Sequence, residues 1–177
     1  MDFRNYKKIK MDVHAEAITG SMLKNNELSL FMRIGSDYYN NYYEYEVPLS
    51  LTDPGNYTSD SEADRYLVWP DTNRIDLTLK TLTDLKLERN EMIRQANSGV
   101  SLTDVYSIVK GTRTIKIKGN PNLGNVEVMM IGIRYKDKDA NNYGPRSVEV
   151  WTNELCLTGL NESGGWAASG RVTTRLA

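Results

Sequence analysis

Apolar and polar residues alternate along segment after segment of this chain, and a period of two restricts it to strands with one buried face. Ile9, Met11, Val13, Ala15 and Ala17 form one row, and Lys10, Asp12, His14 and Glu16 form the other. The same design predicts a second strand over 27–35, with Leu28, Leu30, Met32 and Ile34 inward and Ser29, Phe31 and Arg33 outward. The turn residues Lys24-Asn25-Asn26 predict a hairpin between these two strands. In a third strand Tyr43, Tyr45, Val47 and Leu49 alternate with Glu44, Glu46 and Pro48. Proline cannot donate to a ladder, so Pro48 belongs at an edge or near the strand's end.

The pattern is interrupted once. Residues 53–64 carry Pro, Gly, Asn, Ser and acidic side chains with little to bury, which predicts a mobile surface loop. Ile75, Leu77 and Leu79 suit a strand over 73–79. Leu82, Leu85, Met92 and Ile93, set among Lys86, Glu88, Arg89, Glu91 and Arg94, then fit the stripe of a helix near 81–96, which stops before Gly99.

Strands resume over 105–109 and 114–118, the latter with Ile115 and Ile117 inward, and Gly119-Asn120-Pro121-Asn122 turns the chain. Within 126–135 the run Val128-Met129-Met130-Ile131-Gly132-Ile133 is apolar on both faces, which predicts the most buried strand of the fold. A polar loop over 136–146 leads to a closing strand that holds Trp151, Leu155 and Leu157.

Seven or eight strands at antiparallel spacing with one helix define a mainly β chain, an antiparallel two-sheet sandwich of jelly-roll type. An outer-membrane barrel is disfavoured, because the helix and acidic loop break the strand-turn series and a doubly apolar strand does not suit a polar lumen. A chain of 177 residues buries roughly 70% of its unfolded surface, enough for one core. The domain is placed at 1–159. Residues 160–177, where Gly164-Gly165-Trp166 leads into the alternating stretch from Arg171 to Leu176, read as the start of the next segment of a larger protein.

The 22 basic and 23 acidic residues are interspersed and the net charge is −1, so no basic stripe favours nucleic acid or an anionic membrane surface. Cys156 is the sole cysteine, which excludes an internal disulfide and any multi-cysteine metal site. No run of 18 apolar residues could span a bilayer as a helix, and the chain reads as a soluble domain without a cofactor.

Tyr38, Tyr39 and Tyr42 are the candidate ligand- or partner-binding residues, in a segment that packs five of eleven tyrosines into eight positions. Aromatic faces cover the apolar face of a sugar or anchor a protein partner, whereas Tyr43 and Tyr45 follow the inward row and belong to the core. Asp137, Asp139 and Asn141 alternate as calcium ligands do. That loop lacks an EF-hand's glycine and distal glutamate, so a solvated turn is preferred. His14, the only histidine, falls among outward charges and reads as a surface residue. Glu44 with Glu46 and Asp60 with Glu62 have the residue type for glycosidase chemistry, but paired outward carboxylates are ordinarily solvated and no active site is assigned. Cys156 reads as a small packing residue.

Several stretches together resemble the SprA/Sov proteins: Asp2-Phe3-Arg4-Asn5-Tyr6-Lys7-Lys8-Ile9-Lys10-Met11, Asn41-Tyr42-Tyr43-Glu44-Tyr45-Glu46-Val47-Pro48-Leu49, Gly119-Asn120-Pro121-Asn122-Leu123-Gly124, and Val150-Trp151-Thr152-Asn153-Glu154-Leu155-Cys156-Leu157 followed by Gly164-Gly165-Trp166-Ala167-Ala168. Cys156 stands where the family's run has arginine. The resemblance covers essentially the whole chain. It implies a non-catalytic structural or interaction domain of a very large outer-membrane, cell-surface protein of Bacteroidetes, the type IX secretion translocon also tied to gliding motility. The partners so implied are other segments of the parent translocon and secreted or accessory proteins. A looser resemblance, through Ile131-Gly132-Ile133 followed by Val150 to Leu157, is to galactose-binding-like carbohydrate modules. It implies the same sandwich and a carbohydrate-binding alternative.

Overall fold

A computed structural model describes residues 1–136 and 144–160. The elements run β1 (Lys8–Ala17), β2 (Leu28–Gly35), β3 (Tyr42–Pro48), α1 (Glu62–Val68), β4 (Ile75–Thr78), α2 (Leu79–Arg94), β5 (Tyr106–Lys110), β6 (Arg113–Lys118), β7 (Val128–Tyr135) and β8 (Val148–Thr158). They build two antiparallel sheets, one ordered β4-β1-β8 and the other β5-β6-β3-β2-β7. The sandwich expected from the alternation is present, with its rows where the period of two puts them.

Register explains the core. Leu30 pairs with Val47, Met32 with Tyr45 and Ile34 with Tyr43, so β2 and β3 present one continuous apolar face. Ile9 and Met11 of β1 pair with Leu77 and Ile75 of β4 to form the opposing face. All ten are buried, and each fully buried aliphatic side chain contributes roughly 1.5–3 kcal/mol. The first residues add to this core: Phe3 is 1% exposed, and its N–H donates to Leu123 O at 2.8 Å.

The expected hairpin between the first two strands does not form. β1 and β2 lie in different sheets, because each has one apolar face and the two meet across the core. Residues 18–27 carry the chain from one sheet to the other instead. The stretch read as a mobile loop ends in α1, a second helix. Ser61 starts it by accepting the Asp64 N–H at 3.2 Å, a local capping bond that suits a short polar helix.

α2 begins directly after β4 and buries Leu79, Leu82, Leu85 and Arg89. Lys86 Nζ donates to Pro121 O at 2.7 Å and Arg89 Nη1 to Gly119 O at 2.6 Å, fastening the helix to the turn after β6. Gly119 has φ +68°, and a Cβ there would lie 1.9 Å from Asn40 O, so only glycine permits this approach.

The expectation that 126–135 is the most buried strand is overturned. Among the described residues β7 pairs with β2 alone and lies at the edge of its sheet. Its outward face is held close by the Phe31 ring, which would meet a Cβ on Gly132 at 2.6 Å. Its core-facing Ile131 and Ile133 are 37% and 44% exposed, while Tyr135 at the strand's end accepts from Arg146 Nε at 3.0 Å and lies under that guanidinium. Apolar residues on two faces thus mark a strand at the edge of its sheet rather than at its centre.

A register shift in β8 decides which of its side chains face the core. Between the pairs Lys10–Cys156 and Asp12–Asn153, β8 carries one residue more than β1, and Glu154 takes φ +54°. Leu157 still faces the core beside Ile9, but the bulge turns Trp151 to the outer face opposite His14. One inserted residue therefore removes Trp151 from the core row and makes it available on the surface.

β7 and β8 edge the sandwich on the same flank. The chain entering β8 lies along the link from β1 to β2, through Ile18 N–H to Ser147 O at 3.1 Å and Met22 N–H to Pro145 O at 2.9 Å. Leu155, within the β8 bulge, is 44% exposed.

Candidate functional site

The three candidate tyrosines do not form one platform. Asp37 shapes their loop, accepting the backbone N–H groups of Tyr39 and Asn41 at 2.8 and 3.2 Å and that of Asn40. The Asn40 backbone bond, followed by the Asn41 side chain, holds the Asp37 carboxyl well below the usual carboxylate range. Tyr39 is 75% exposed at the tip and Tyr38 is exposed beside it. Tyr42, expected near the loop surface, is instead buried at the start of β3, where the Arg33 guanidinium covers its ring at 3.9 Å. Cation–π cover leaves it no free face.

The outer face of the five-stranded sheet holds an ion network. Glu44 and Glu46, one strand position apart in their row, are both buried although they point away from the core. Lys116 Nζ reaches Glu44 at 2.8 Å and Glu46 at 2.6 Å, while Arg134 Nη1 reaches Glu44 at 3.0 Å and also binds Glu46. Arg33 Nη2 and Nε close the other side of Glu44, and Ser29 Oγ donates to Glu46 at 2.6 Å. Burial alone would push the Glu44 carboxyl up, but the bonds from Arg134, Lys116 and Arg33 outweigh it and hold the group at about 2. A carboxylate so held does not donate a proton near neutrality, which is what a glycosidic general acid must do.

His14 is the second reversal of an outward reading. It does face away from the core, but it is 4% exposed, because the end of α1 covers that part of β1. Nδ1 lies 2.8 Å from Val68 O and therefore carries the proton of that bond. Trp69 and Trp151 flank the imidazole at centroid distances of 6.0 and 5.5 Å, tilted by 58° and 56°. Beside them opens a cleft of about 460 Å³. Its walls come from β1, β8, α1 and the loop before α1, and Trp151 is 53% exposed at its mouth.

Sequence reasoning missed this cleft for two physical reasons: the bulge at Glu154 reverses the row of Trp151, and α1 brings Trp69 over His14. The pairing of a lone outward histidine with two distant tryptophans carries no local signal. Asp60 and Glu62, the other carboxylate pair considered, are exposed at the start of α1. Cys156 is exposed opposite Lys10, so it is not the packing residue expected of it. Asp137, Asp139 and Asn141 lie outside the described residues, as does the tail from residue 161. Among the described residues no group of three or more His, Cys, Asp or Glu side chains is arranged to hold a metal ion, and no helix is long and apolar enough to cross a membrane.

Two antiparallel sheets, an ion network closed over one outer face and an aromatic cleft on the other together define a β-sandwich module. A family model described as motility related/secretion protein matches residues 1–177, and the chain belongs to that family, SprA. A search of curated proteins finds none that matches the chain.

Proposed function

We propose that this sandwich is a non-catalytic structural and interaction domain of a large outer-membrane protein that serves type IX secretion and gliding motility. Its work is to bind another β segment of the parent translocon along the β7–β8 flank. The observation that carries this reading is the exposure of Ile131 and Ile133, 37% and 44%, on a strand that among the described residues is bonded on one side alone. Apolar edge strands of this kind are templates for strand addition, in which main-chain hydrogen bonds supply affinity and alternate side chains supply specificity. The closed Glu44–Glu46 network supports a role without acid-base chemistry.

A photoreactive residue at position 133 of the intact parent tests the proposal. Crosslinks to other parent segments support it. Crosslinks to a separate secreted or accessory protein would replace the scaffold with an adaptor, and no crosslink from 133 beside an equally silent control at the exposed Tyr39 would end it. The double change Ile131→Glu and Ile133→Glu is expected to lower secretion several-fold. It should shift the unfolding free energy of the domain by less than about 1 kcal/mol, because both positions are already more than a third exposed. A large fall in melting temperature would mean that the row belongs to the core instead.

A further inference from the structure

The cleft beside His14 is built from groups that a purely structural contact does not need. Trp69 and Trp151 offer aromatic rings, and Tyr57 adds a third at the rim. Around them stand acceptors, Glu16 and Asp64, and a cationic donor, Arg65. Among the described residues, Glu16 meets only His14 Nε2, at 3.5 Å, and only one Asp64 oxygen is engaged, by the Thr58 N–H at 3.0 Å. Carboxylate lone pairs therefore remain free to accept from a ligand.

This mixture selects among ligand classes. A cation would be drawn to the rings and carboxylates but would meet Arg65. An anion would meet Glu16 and Asp64. A wholly apolar ligand would cover the open carboxylate oxygens of Glu16 and Asp64 without giving them a donor. A neutral sugar fits each part, because its C–H face lies on an aromatic ring while its hydroxyls both donate and accept. The volume of about 460 Å³ is that of a small-molecule site. A second cleft of about 290 Å³ shares Trp69 and Arg65 and continues past Asp12, Arg74 and Asn153, so a chain of sugar rings could run across both.

We propose that the outer face of the β4–β1–β8 sheet binds a neutral oligosaccharide, with Trp151 and Trp69 as stacking surfaces and Glu16, Asp64 and Arg65 as hydroxyl partners. This site is separate from the tyrosine loop and from the β7–β8 flank, so its failure leaves the docking proposal standing. His14 is a positioning residue: its bond to Val68 O fixes the floor between the two indoles.

Titration of the 177-residue chain with cellotriose, laminaritriose and chitotriose, followed by tryptophan fluorescence and calorimetry, tests it. At least one is expected to bind with a dissociation constant below ~1 mM, and Trp151→Ala is expected to weaken that binding by at least about tenfold. Because Trp151 is more than half exposed, the same variant should keep the melting temperature within a few degrees. Binding of chitotriose alone supports the proposal with an N-acetylated, cell-wall type glycan as the source, and binding of the glucose chains supports it with a surface polysaccharide. No response to any of the three at ~10 mM, or equal binding by Trp151→Ala, would overturn it.

Discussion

Replacing Glu44 with alanine is expected to lower the unfolding free energy by about 3 kcal/mol, a fall in melting temperature of about 6–12 °C for a chain this size. Glu44 is 1% exposed, and Arg33, Lys116 and Arg134 all converge on its two oxygens. Removing the carboxylate leaves three cations, none more than 35% exposed, facing Glu46 alone. The rings beneath them would remain, with Phe31 4.4 Å from the Arg134 guanidinium and Tyr42 3.9 Å from that of Arg33. Cation–π contacts supply on the order of 1 kcal/mol and do not replace an opposite charge.

Acid should reproduce part of the same loss. The folded carboxyl sits at about 2, below its ordinary value of 4.5. A depressed acid stabilises the fold fully above its unfolded value and ceases to do so as pH falls through the folded one, so the loss runs from about pH 4.5 down to about pH 2. A difference of that size corresponds to roughly 3 kcal/mol, and Glu46, also lowered despite its burial, adds in the same direction. Urea unfolding across this range should show the wild-type chain losing stability steeply and Glu44→Gln losing much less. A wild-type profile as flat as the variant's would show that the network contributes nothing net.

Arg89→Ala is expected to cost about 3–5 kcal/mol, through a large cavity and an orphaned carbonyl. Arg89 is wholly buried, and burial pushes its guanidinium below the usual arginine value while Tyr43 acts in the opposite direction. Its Nη1 satisfies Gly119 O, and its Nε and Nη2 share Asn90 Oδ1 at 3.3 and 3.0 Å. No carboxylate among the described residues pairs with it, so its role is to hydrogen-bond the turn to α2. Arg89→Met refills the volume but not the bonds and should recover about half of the loss in chemical denaturation. An unchanged midpoint for Arg89→Ala would refute the anchoring role.

The rows that face the core were legible in the sequence, because a period of two directly encodes which side of a strand is apolar. Ile9 to Val13, Leu28 to Ile34, and Ile115 with Ile117 all lie where the alternation puts them. What alternation cannot encode is whether an outward row meets water. His14 is covered by the end of α1, Glu44 by cations from β2, β6 and β7, and Arg89, read as a charged flank of the helical stripe, by the turn at Gly119. Nor does it encode neighbours: β7 had the composition of a central strand and lies at an edge. The single extra residue at Glu154 was equally silent, yet it decides where Trp151 points and so decides whether the aromatic cleft exists.

The pairing of β1 with β8 also governs the order in which this chain can assemble. Lys8 lies opposite Thr158, so the first strand of the sandwich is completed by the last. Closing so long a loop is entropically slow, and non-local ladders of this kind belong to the slower-folding topologies. A chain made from its N-terminus must therefore carry β1 with one open side, next to a half-built core, until residue 158 has emerged. That interval is when the open strand edge is most exposed to pairing with the wrong segment.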